Sequence, residues 1–253
     1  MAQYLLMRLY GPLASWGEIA VGEARHCAMH PSRSALLGLL AAALGIEREN
    51  DTALSALSQG YRLGIKLEAP GSLLRDFHTI QLGVPGRKQR FRSRRQSLSA
   101  EKIDTLLSMR EYRCDSIASI ALEATEHAPF TLDELAEALR APRFTLYLGR
   151  KSCPLALPIA PQIVEAPSLR AAFDQASRRS LMALLGSEPD RAWPIEADRR
   201  VFGRAQPRYF WDDGMVPGMA ASLQTVRYDQ PLSRRRWQFV PRREHVHIER
   251  GQQ

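Results

Sequence analysis

The most informative stretch of the chain is PSRSALLGLLAAALG, residues 31–45. Ser32 or Ser34 can cap a helix that begins here, and Gly45 can end it. Because the run is apolar nearly all round, we expect the helix to be buried, with its N-terminus as the end that meets solvent or a ligand. The two serines, Arg33 and the free backbone N–H groups at that end predict an anion-binding site.

Apolar runs on both sides of this helix predict a sheet. Before it, Tyr4–Tyr10 has the composition of a buried strand and stops at Gly11-Pro12. After it we expect a helix at 51–58, strands at 61–67 and 117–122, a helix at 131–139 with a capping box formed by Thr131 and Glu134, and a strand at 144–148. The order β-α-β, insertion, β-α-β predicts an α+β fold, a ferredoxin-like or RRM-like sheet with helices on one face.

Beyond residue 154 the pattern is looser. We expect a helix at 169–185 and strands around Trp193, at 223–228 and at 237–240. The predicted organisation is an RRM-like domain at residues 1–160, with an insertion at about 83–108, followed by a smaller β-rich C-terminal lobe at residues 161–253.

Composition narrows the class of protein. The 253 residues include 35 Lys and Arg against 27 Asp and Glu, a formal charge of +8, which favours a partner that carries phosphate. An apolar content of 45% is enough to build a core and excludes a disordered tail protein. Three scattered cysteines without a C-x-x-C pair predict reduced thiols in a cytoplasmic protein, and the chain has no uncharged run of about 18 residues that would predict a membrane span.

A basic segment interrupts the middle of the chain. It holds six cations and one aromatic residue, with no acidic group and no hydrophobic period: Arg87, Lys88, Arg90, Phe91, Arg92, Arg94 and Arg95. One interpretation is a solvated, mobile loop. The other is an arm that lies along a phosphodiester backbone, where each cation neutralises a phosphate and the aromatic ring stacks on a base.

Two further basic segments are candidates for binding. Tyr147 to Pro154 follows a predicted strand and places Gly149, Arg150 and Lys151 in a turn that can approach a phosphate, although the spacing is not that of a P-loop and a plain surface turn is the alternative. The other segment combines Arg234–Trp237 with Arg242 and Arg243. These arginines are either solvated or in contact with RNA or a partner protein.

Signs of catalysis are few. His245 and His247 could be metal ligands, but without nearby cysteines or clustered carboxylates we expect no metal site. The G-x-S-x-G, H-E-x-x-H and G-x-G-x-x-G motifs are absent, and we expect no cofactor and no catalytic residue. A metal-independent ribonuclease needs a base, an acid and a cation near one 2′-hydroxyl, and the candidate side chains, whose spacing singles out no triad, are His26, His30, His78, Tyr112 and Lys151.

Three stretches carry a family resemblance. They are the opening strand running into Gly11-Pro12 and Trp16-Gly17, the helix region at 31–46, and PRFTLYLGRKSCPL at 142–155, with Arg75–Thr79 and Arg110–Tyr112 at the flanks of the insertion. In this order they resemble the CasD (Cas-five) family of subunits of type I-E CRISPR Cascade complexes. The resemblance covers most of the first 155 residues and fades after residue 160.

The resemblance implies a non-catalytic protein that binds guide RNA. In this family an RRM-like domain carries a thumb, here the insertion, which contacts the CasC-type backbone subunit and kinks the RNA, while the domain holds the 5′ handle of the crRNA. It also implies contact with the CasA-type large subunit and an indirect role in recognising target DNA. The matching RNA-binding positions are Arg25, Ser32, Arg33, Ser34, Arg110, Tyr112, Tyr147, Arg150 and Lys151. The alternative is an endoribonuclease, because type I-C relatives process the guide precursor themselves.

Overall fold

A large antiparallel sheet forms the centre of the molecule. The computed structural model describes residues 1–87, 90–176 and 206–249. Within these ranges seven strands pair in the order β10-β11-β9-β4-β7-β1-β8, and each neighbouring pair is antiparallel. Their bounds are β1 Ala2–Tyr10, β4 Tyr61–Ala69, β7 Ile117–Ala124, β8 Gln162–Ala166, β9 Arg208–Asp212, β10 Leu223–Ser233 and β11 Gln238–Ile248. The mixed α/β class predicted from the sequence is confirmed.

Helices cover both faces of this sheet. They are α1 Arg33–Leu44, α2 Asp51–Gly60, α4 Leu132–Arg140 and α5 Leu169–Gln175, and a further short helix, α3 Arg94–Leu98, lies away from the sheet. Successive residues of β1 point to opposite faces, so Leu5 packs in the core with α1 and α4 whereas Tyr4 packs in a second core with α5. The expectation of helices on one face was therefore incomplete, because α5 fills the other. No helix among the described residues is long and apolar enough to span a membrane.

The predicted helix ends are confirmed. Ser32 caps α1 by accepting a hydrogen bond from the Ala35 N–H, and Gly45 ends it in the left-handed conformation at φ 76°. Thr131 and Glu134 form the capping box of α4. The helix expected at 169–185 ends at Gln175 within the described part, and its remaining residues, like the strand expected around Trp193, lie outside the described residues.

The strand predicted at 144–148 was wrong. The backbone N–H groups of Arg143 and Phe144 instead donate to the carbonyls of Ala43 and Ala42, the last turn of α1, each over 3.0 Å. Helix ends leave carbonyls that need partners, so this segment satisfies them rather than a strand ladder. The sheet strand that follows α4 is β8, giving the element order β1-α1-β4-β7-α4-β8 for its central part.

A long two-stranded arm projects from this body. Strands β5 Ser72–Gly83 and β6 Ile103–Cys114 pair along their full twelve residues, and α3 lies in the connection between them. Two short strands, β2 Leu13–Ala14 and β3 Ala24–Arg25, pair with the base of β6. The insertion predicted at about 83–108 thus corresponds to the outer end of the arm.

Residues beyond 160 extend the same sheet. Sequence analysis placed a smaller β-rich lobe there. The described strands of this stretch are joined to the N-terminal part, because β8 pairs with β1 and β9 pairs with β4. The predicted boundary near residue 160 therefore falls between α4 and β8, two elements packed on each other, and the division into two lobes stays a prediction.

Candidate nucleic-acid interface

Four of the predicted RNA-binding residues meet at the base of the arm. Arg110 and Tyr112 are two residues apart on β6 and so lie on the same face of the strand. Arg25 is the register partner of Arg110 in the parallel pair β3–β6. The guanidinium of Arg150 lies 4.9 Å from the centroid of the Tyr112 ring. We call these four residues the arm-base cluster.

A tight turn delivers Arg150 to this position. The Leu148 N–H donates to the Cys153 carbonyl over 2.8 Å, and the Cys153 N–H donates to the Arg150 carbonyl over 2.9 Å. Gly149 sits at φ 85°, and a Cβ atom there would lie 1.9 Å from the Ser15 carbonyl oxygen. Glycine is therefore required for both the backbone conformation and the close approach. Lys151 and Tyr147, on the same turn, are exposed.

Glu111 anchors the base of the arm and was missed by the sequence analysis. Its carboxylate accepts hydrogen bonds from the Cys27 N–H at 3.2 Å and Arg75 Nε at 3.0 Å, and it lies 3.4 Å from His26 Nδ1. Burial acts to raise the pKa of Glu111, but these hydrogen bonds prevail and lower it. Its place between Arg110 and Tyr112 was the available signal.

The arm-base cluster holds three arginines whose guanidinium groups are only partly paired with other described residues. Arg110 has Arg25 as its register partner on β3 and Asp76 as its register partner on β5, so two cations have one acidic residue in register beside them. Arg25 Nη1 donates to the carbonyls of Gly22 and Ala24. Arg150 Nη1 is shielded from solvent and has no hydrogen-bond partner among the described residues. A guanidinium group that has an N–H without a protein acceptor is suited to binding phosphate.

The start of α1 is arranged differently. Ser32 Oγ receives the Ala35 N–H and lies 3.1 Å from Ser34 Oγ. Arg33 is buried, forms an ion pair with Asp212 and donates to the Ser58 carbonyl over 2.6 Å. The backbone N–H of Arg33 donates to Asp229 over 2.8 Å, so a carboxylate of the protein occupies the predicted anion position. RNA contact by these three residues stays a prediction.

Further charged residues extend the ion pair between Arg33 and Asp212 into a larger buried network. Arg242 is bound by three carboxylates, Asp212 at 2.9 Å, Asp229 at 2.6 Å and Glu244 at 2.6 Å. His30 Nε2 lies 3.3 Å from the Glu244 carboxylate and 2.6 Å from Arg227 Nη1. We call this the entrance network: Arg33, Asp212, Asp229, Arg242, Glu244, His30 and Arg227. Nearly 200 residues separate Arg33 from its partners, and no spacing pattern could have indicated it.

The tip of the arm carries the basic insertion. Five of its cations are exposed, and Phe91 is half-buried beside them: Arg87, Arg90, Arg92, Arg94 and Arg95. Lys88 lies outside the described residues. The arm itself exposes large apolar side chains, among them Phe77, Leu106 and Leu107.

The histidines considered for catalysis lie with separate partners. His26 contacts Glu111, His30 contacts Glu244, and His78 contacts Asp76. His245 and His247 also diverge, to Asp213 and to the Ala220 carbonyl. In the described ranges, no group of three or more His, Cys, Asp or Glu residues is placed to hold a metal ion.

Comparisons with known proteins point to one family. The family model described as CRISPR-associated protein (Cas_Cas5) matches residues 4–245. CRISPR system Cascade subunit CasD of Escherichia coli (strain K12) is 36% identical over 167 residues, which cover 63% of this chain and 70% of the relative.

Solved structures agree with this assignment. A chain described as CRISPR RNA-guided surveillance complex has a TM-score of 0.62 and 25% identity, over 97% of this chain and 89% of that one. A structure described as Crystal structure of Cas protein has a TM-score of 0.57 and 24% identity, over 97% and 94%, and supports the fold alone. The predicted resemblance is confirmed, and the chain belongs to the CasD-type Cas5 family of CRISPR-associated proteins.

Proposed function

We propose that this protein is a non-catalytic crRNA-binding subunit of a type I-E Cascade complex and holds the 5′ handle of the guide RNA. The observation that carries the proposal is the arm-base cluster, in which Arg25 and Arg110 are register partners and Arg150 lies over the ring of the buried Tyr112. Two relatives support a role in a Cascade complex. One is named as a Cascade subunit, and the other belongs to an RNA-guided surveillance complex.

The chemistry of the cluster suits single-stranded RNA. Unpaired RNA exposes base edges that an A-form helix hides in its deep, narrow major groove. Arg25 and Arg110 are register partners with Asp76 opposite Arg110, and a phosphate bound by both guanidinium groups would supply a second negative charge. Lys151 and Tyr147 are exposed on the turn that contains Gly149, which we call the glycine turn, and they extend the same surface. Glu111, bound from three sides, keeps the strand carrying Arg110 and Tyr112 in place.

The arm supports a role in assembly. A two-stranded hairpin is marginally stable by itself, and this one exposes Phe77, Leu106 and Leu107. We propose that it acts as the thumb, packing its apolar side chains against a CasC-type backbone subunit while its basic tip follows the RNA. A CasA-type large subunit is the second proposed protein partner, and target DNA is contacted through the complex.

The central sheet supports an RRM-like arrangement. Strands β4, β7, β1 and β8 are neighbours in that order, and α1 and α4 pack on the same core. With β1 as first strand, this is the antiparallel order of a β-α-β-β-α-β unit. We propose that β1 to β8, residues 2–166, form this unit, so that it extends six residues past the boundary predicted at residue 160.

The alternative function is a metal-independent endoribonuclease. Catalysis by proton transfer needs a base and an acid within reach of one proton. His26, His30 and His78 have different carboxylate partners, an arrangement that favours binding over cleavage.

One experiment separates the two functions. The purified full chain is mixed with end-labelled CRISPR precursor RNA of its host, without divalent metal, and analysed on native and denaturing gels. We expect a shifted, uncut RNA that free 5′ handle competes and salt weakens. Arg150→Ala should weaken the shift, whereas Arg140→Ala, which removes an exposed arginine on α4, should not. A discrete cleavage product at the repeat would establish the ribonuclease, and no shift at low salt would overturn handle binding.

A further inference from the structure

The turn between β10 and β11 presents an aromatic ring among cations. Trp237 is 58% exposed, and the guanidinium of Arg48 lies 4.3 Å from the centre of its ring. The Arg234 guanidinium lies 5.9 Å from both Trp237 and Phe239, whose rings meet edge to face at 5.5 Å. We call Arg48, Arg234, Trp237 and Phe239, with the adjacent exposed Arg235 and Arg236, the turn patch.

The backbone holds Trp237 outward at a conformational cost. Its φ of 56° is in the left-handed region, which is unfavourable for a bulky residue. Asp51 stabilises the turn, accepting from Ser233 Oγ at 2.8 Å and from the Arg234 N–H at 3.1 Å. A large apolar ring kept in solvent by a strained and braced turn is typical of a binding residue.

The charges of the patch remain available to a ligand. Asp51 binds backbone N–H groups of Arg234 and Arg235 rather than their guanidinium groups. Burial and then the nearby charge of Arg48 lower the pKa of Arg234. Arg235 and Arg236 point into solvent. A ligand with both negative charge and a flat ring would complement this surface.

The patch is continuous with the surface that carries the proposed function. Arg234 Nη2 donates to the Ser34 carbonyl in the first turn of α1. Burial lowers the pKa of Arg234 and nearby Tyr147 acts weakly to raise it, and Tyr147 belongs to the same turn as Arg150 and Lys151. RNA leaving the arm base past this turn would therefore meet Trp237.

We propose that the turn patch is a second RNA-binding surface, on which an unpaired base of the guide RNA stacks on Trp237 while Arg235 and Arg236 bind its phosphates. This inference rests on the proposed function and extends it to the C-terminal hairpin. Stacking is tolerant of base identity, so the site selects single-stranded RNA rather than a sequence.

Fluorescence anisotropy with a labelled 5′-handle RNA tests the proposal on the full chain. Trp237→Ala should weaken binding roughly tenfold, and Trp237→Phe, which keeps a stacking ring, should stay within about threefold. Tyr228→Ala is the matched control, because Tyr228 is a similarly exposed aromatic residue on β10 outside the turn, and it should leave affinity unchanged. Ultraviolet cross-linking followed by mass spectrometry should find RNA attached to the peptide that contains Trp237.

The outcomes separate the patch from the proposed function. If Trp237→Ala binds normally while Arg150→Ala binds weakly, the turn patch is refuted and handle binding stands. Equal losses for the Ala and Phe variants would exclude stacking and overturn the proposal, since a phenyl ring can still stack on a base. If the wild-type chain fails to bind the RNA, both proposals fall.

Discussion

The arm-base cluster and the entrance network are both rich in arginine, yet they use it in opposite ways. At the arm base, Arg25 and Arg110 are neighbours, and Arg150 Nη1 has no hydrogen-bond partner among the described residues. In the entrance network, Arg33 and Arg242 share the carboxylate of Asp212 inside the protein. We propose that arginines of the first kind bind a ligand, whereas those of the second kind hold structural elements together through their carboxylate partners.

The carboxylates of the entrance network join the C-terminal strands to the N-terminal half of the chain. Asp212 lies on β9 and binds Arg33 at the start of α1, and it also accepts the Leu63 N–H of β4 over 2.9 Å. Asp229 on β10 binds the backbone of Arg33. The network therefore connects β4, β9 and β10 to the start of α1. Removal of one of its carboxylates would leave a buried cation without that partner.

The largest effect should follow from Asp212→Ala. Loss of this carboxylate leaves Arg33 and Arg242 buried without their shared partner, and we expect a loss of about 3–5 kcal/mol in the free energy of unfolding. Asp213→Ala is the control, because the neighbouring side chain is 61% exposed and should cost under about 1 kcal/mol. Urea denaturation measures both. Similar small losses for the two variants would show that the entrance network contributes little to stability.

Acid should weaken the entrance network specifically. Burial acts to raise the pKa of Glu244, but His30, Arg227 and Arg242 prevail and lower it to about 2. A lowered pKa stabilises the fold above the unfolded value of about 4.3, and this contribution, roughly 2–3 kcal/mol, is lost as the pH falls toward 2. Urea midpoints measured between pH 6 and pH 3 should fall, and Glu244→Gln should flatten that dependence. If the urea midpoint of the variant fell with pH as steeply as that of the wild type, Glu244 would not be the group responsible.

A smaller change, confined to binding, should follow at the arm base. Arg150→Ala should reduce affinity for the 5′ handle about tenfold, the loss of one charge-assisted contact, and leave the urea midpoint nearly unchanged. Arg33→Ala should do the reverse, lowering the midpoint with little change in the affinity of the folded protein. Titration and denaturation of both variants make the comparison. Equal loss of affinity in the two variants would place Arg33 among the RNA contacts after all.

The smallest expected effect is a change in salt dependence. Replacing both Arg25 and Arg110 by Gln removes two phosphate contacts, so the slope of log K against log salt should decrease by about 1.4 for a single strand. The control pair is Arg62 and Arg140, which are partly exposed and pair with Glu123 and Glu137, and whose replacement should leave the slope unchanged. Affinity measured at several salt concentrations gives both slopes.

Local patterns predicted much of this molecule. The caps of α1 and α4, the first strand and the glycine turn at 147–154 depend on neighbouring residues, and each lies where it was expected. The strand expected at 144–148 failed because the carbonyls that end α1, distant in sequence, accept the N–H groups of Arg143 and Phe144. Glu111 was overlooked since its partners, Cys27 and Arg75, come from other segments of the arm base.

By itself the sequence determined the family, the excess of positive charge, the capped apolar helix and the basic-aromatic segments, because composition and short-range hydrogen bonding are encoded in adjacent residues. Tertiary structure alone decided which arginines pair with carboxylates inside the protein. Arg33 and Arg150 look alike in sequence, since each follows a serine or a glycine. One folds against Asp212, 179 residues away, and the other against the ring of Tyr112. Desolvation and pairing depend on the three-dimensional surroundings of a charge, so its role follows from the partners that the fold brings to it.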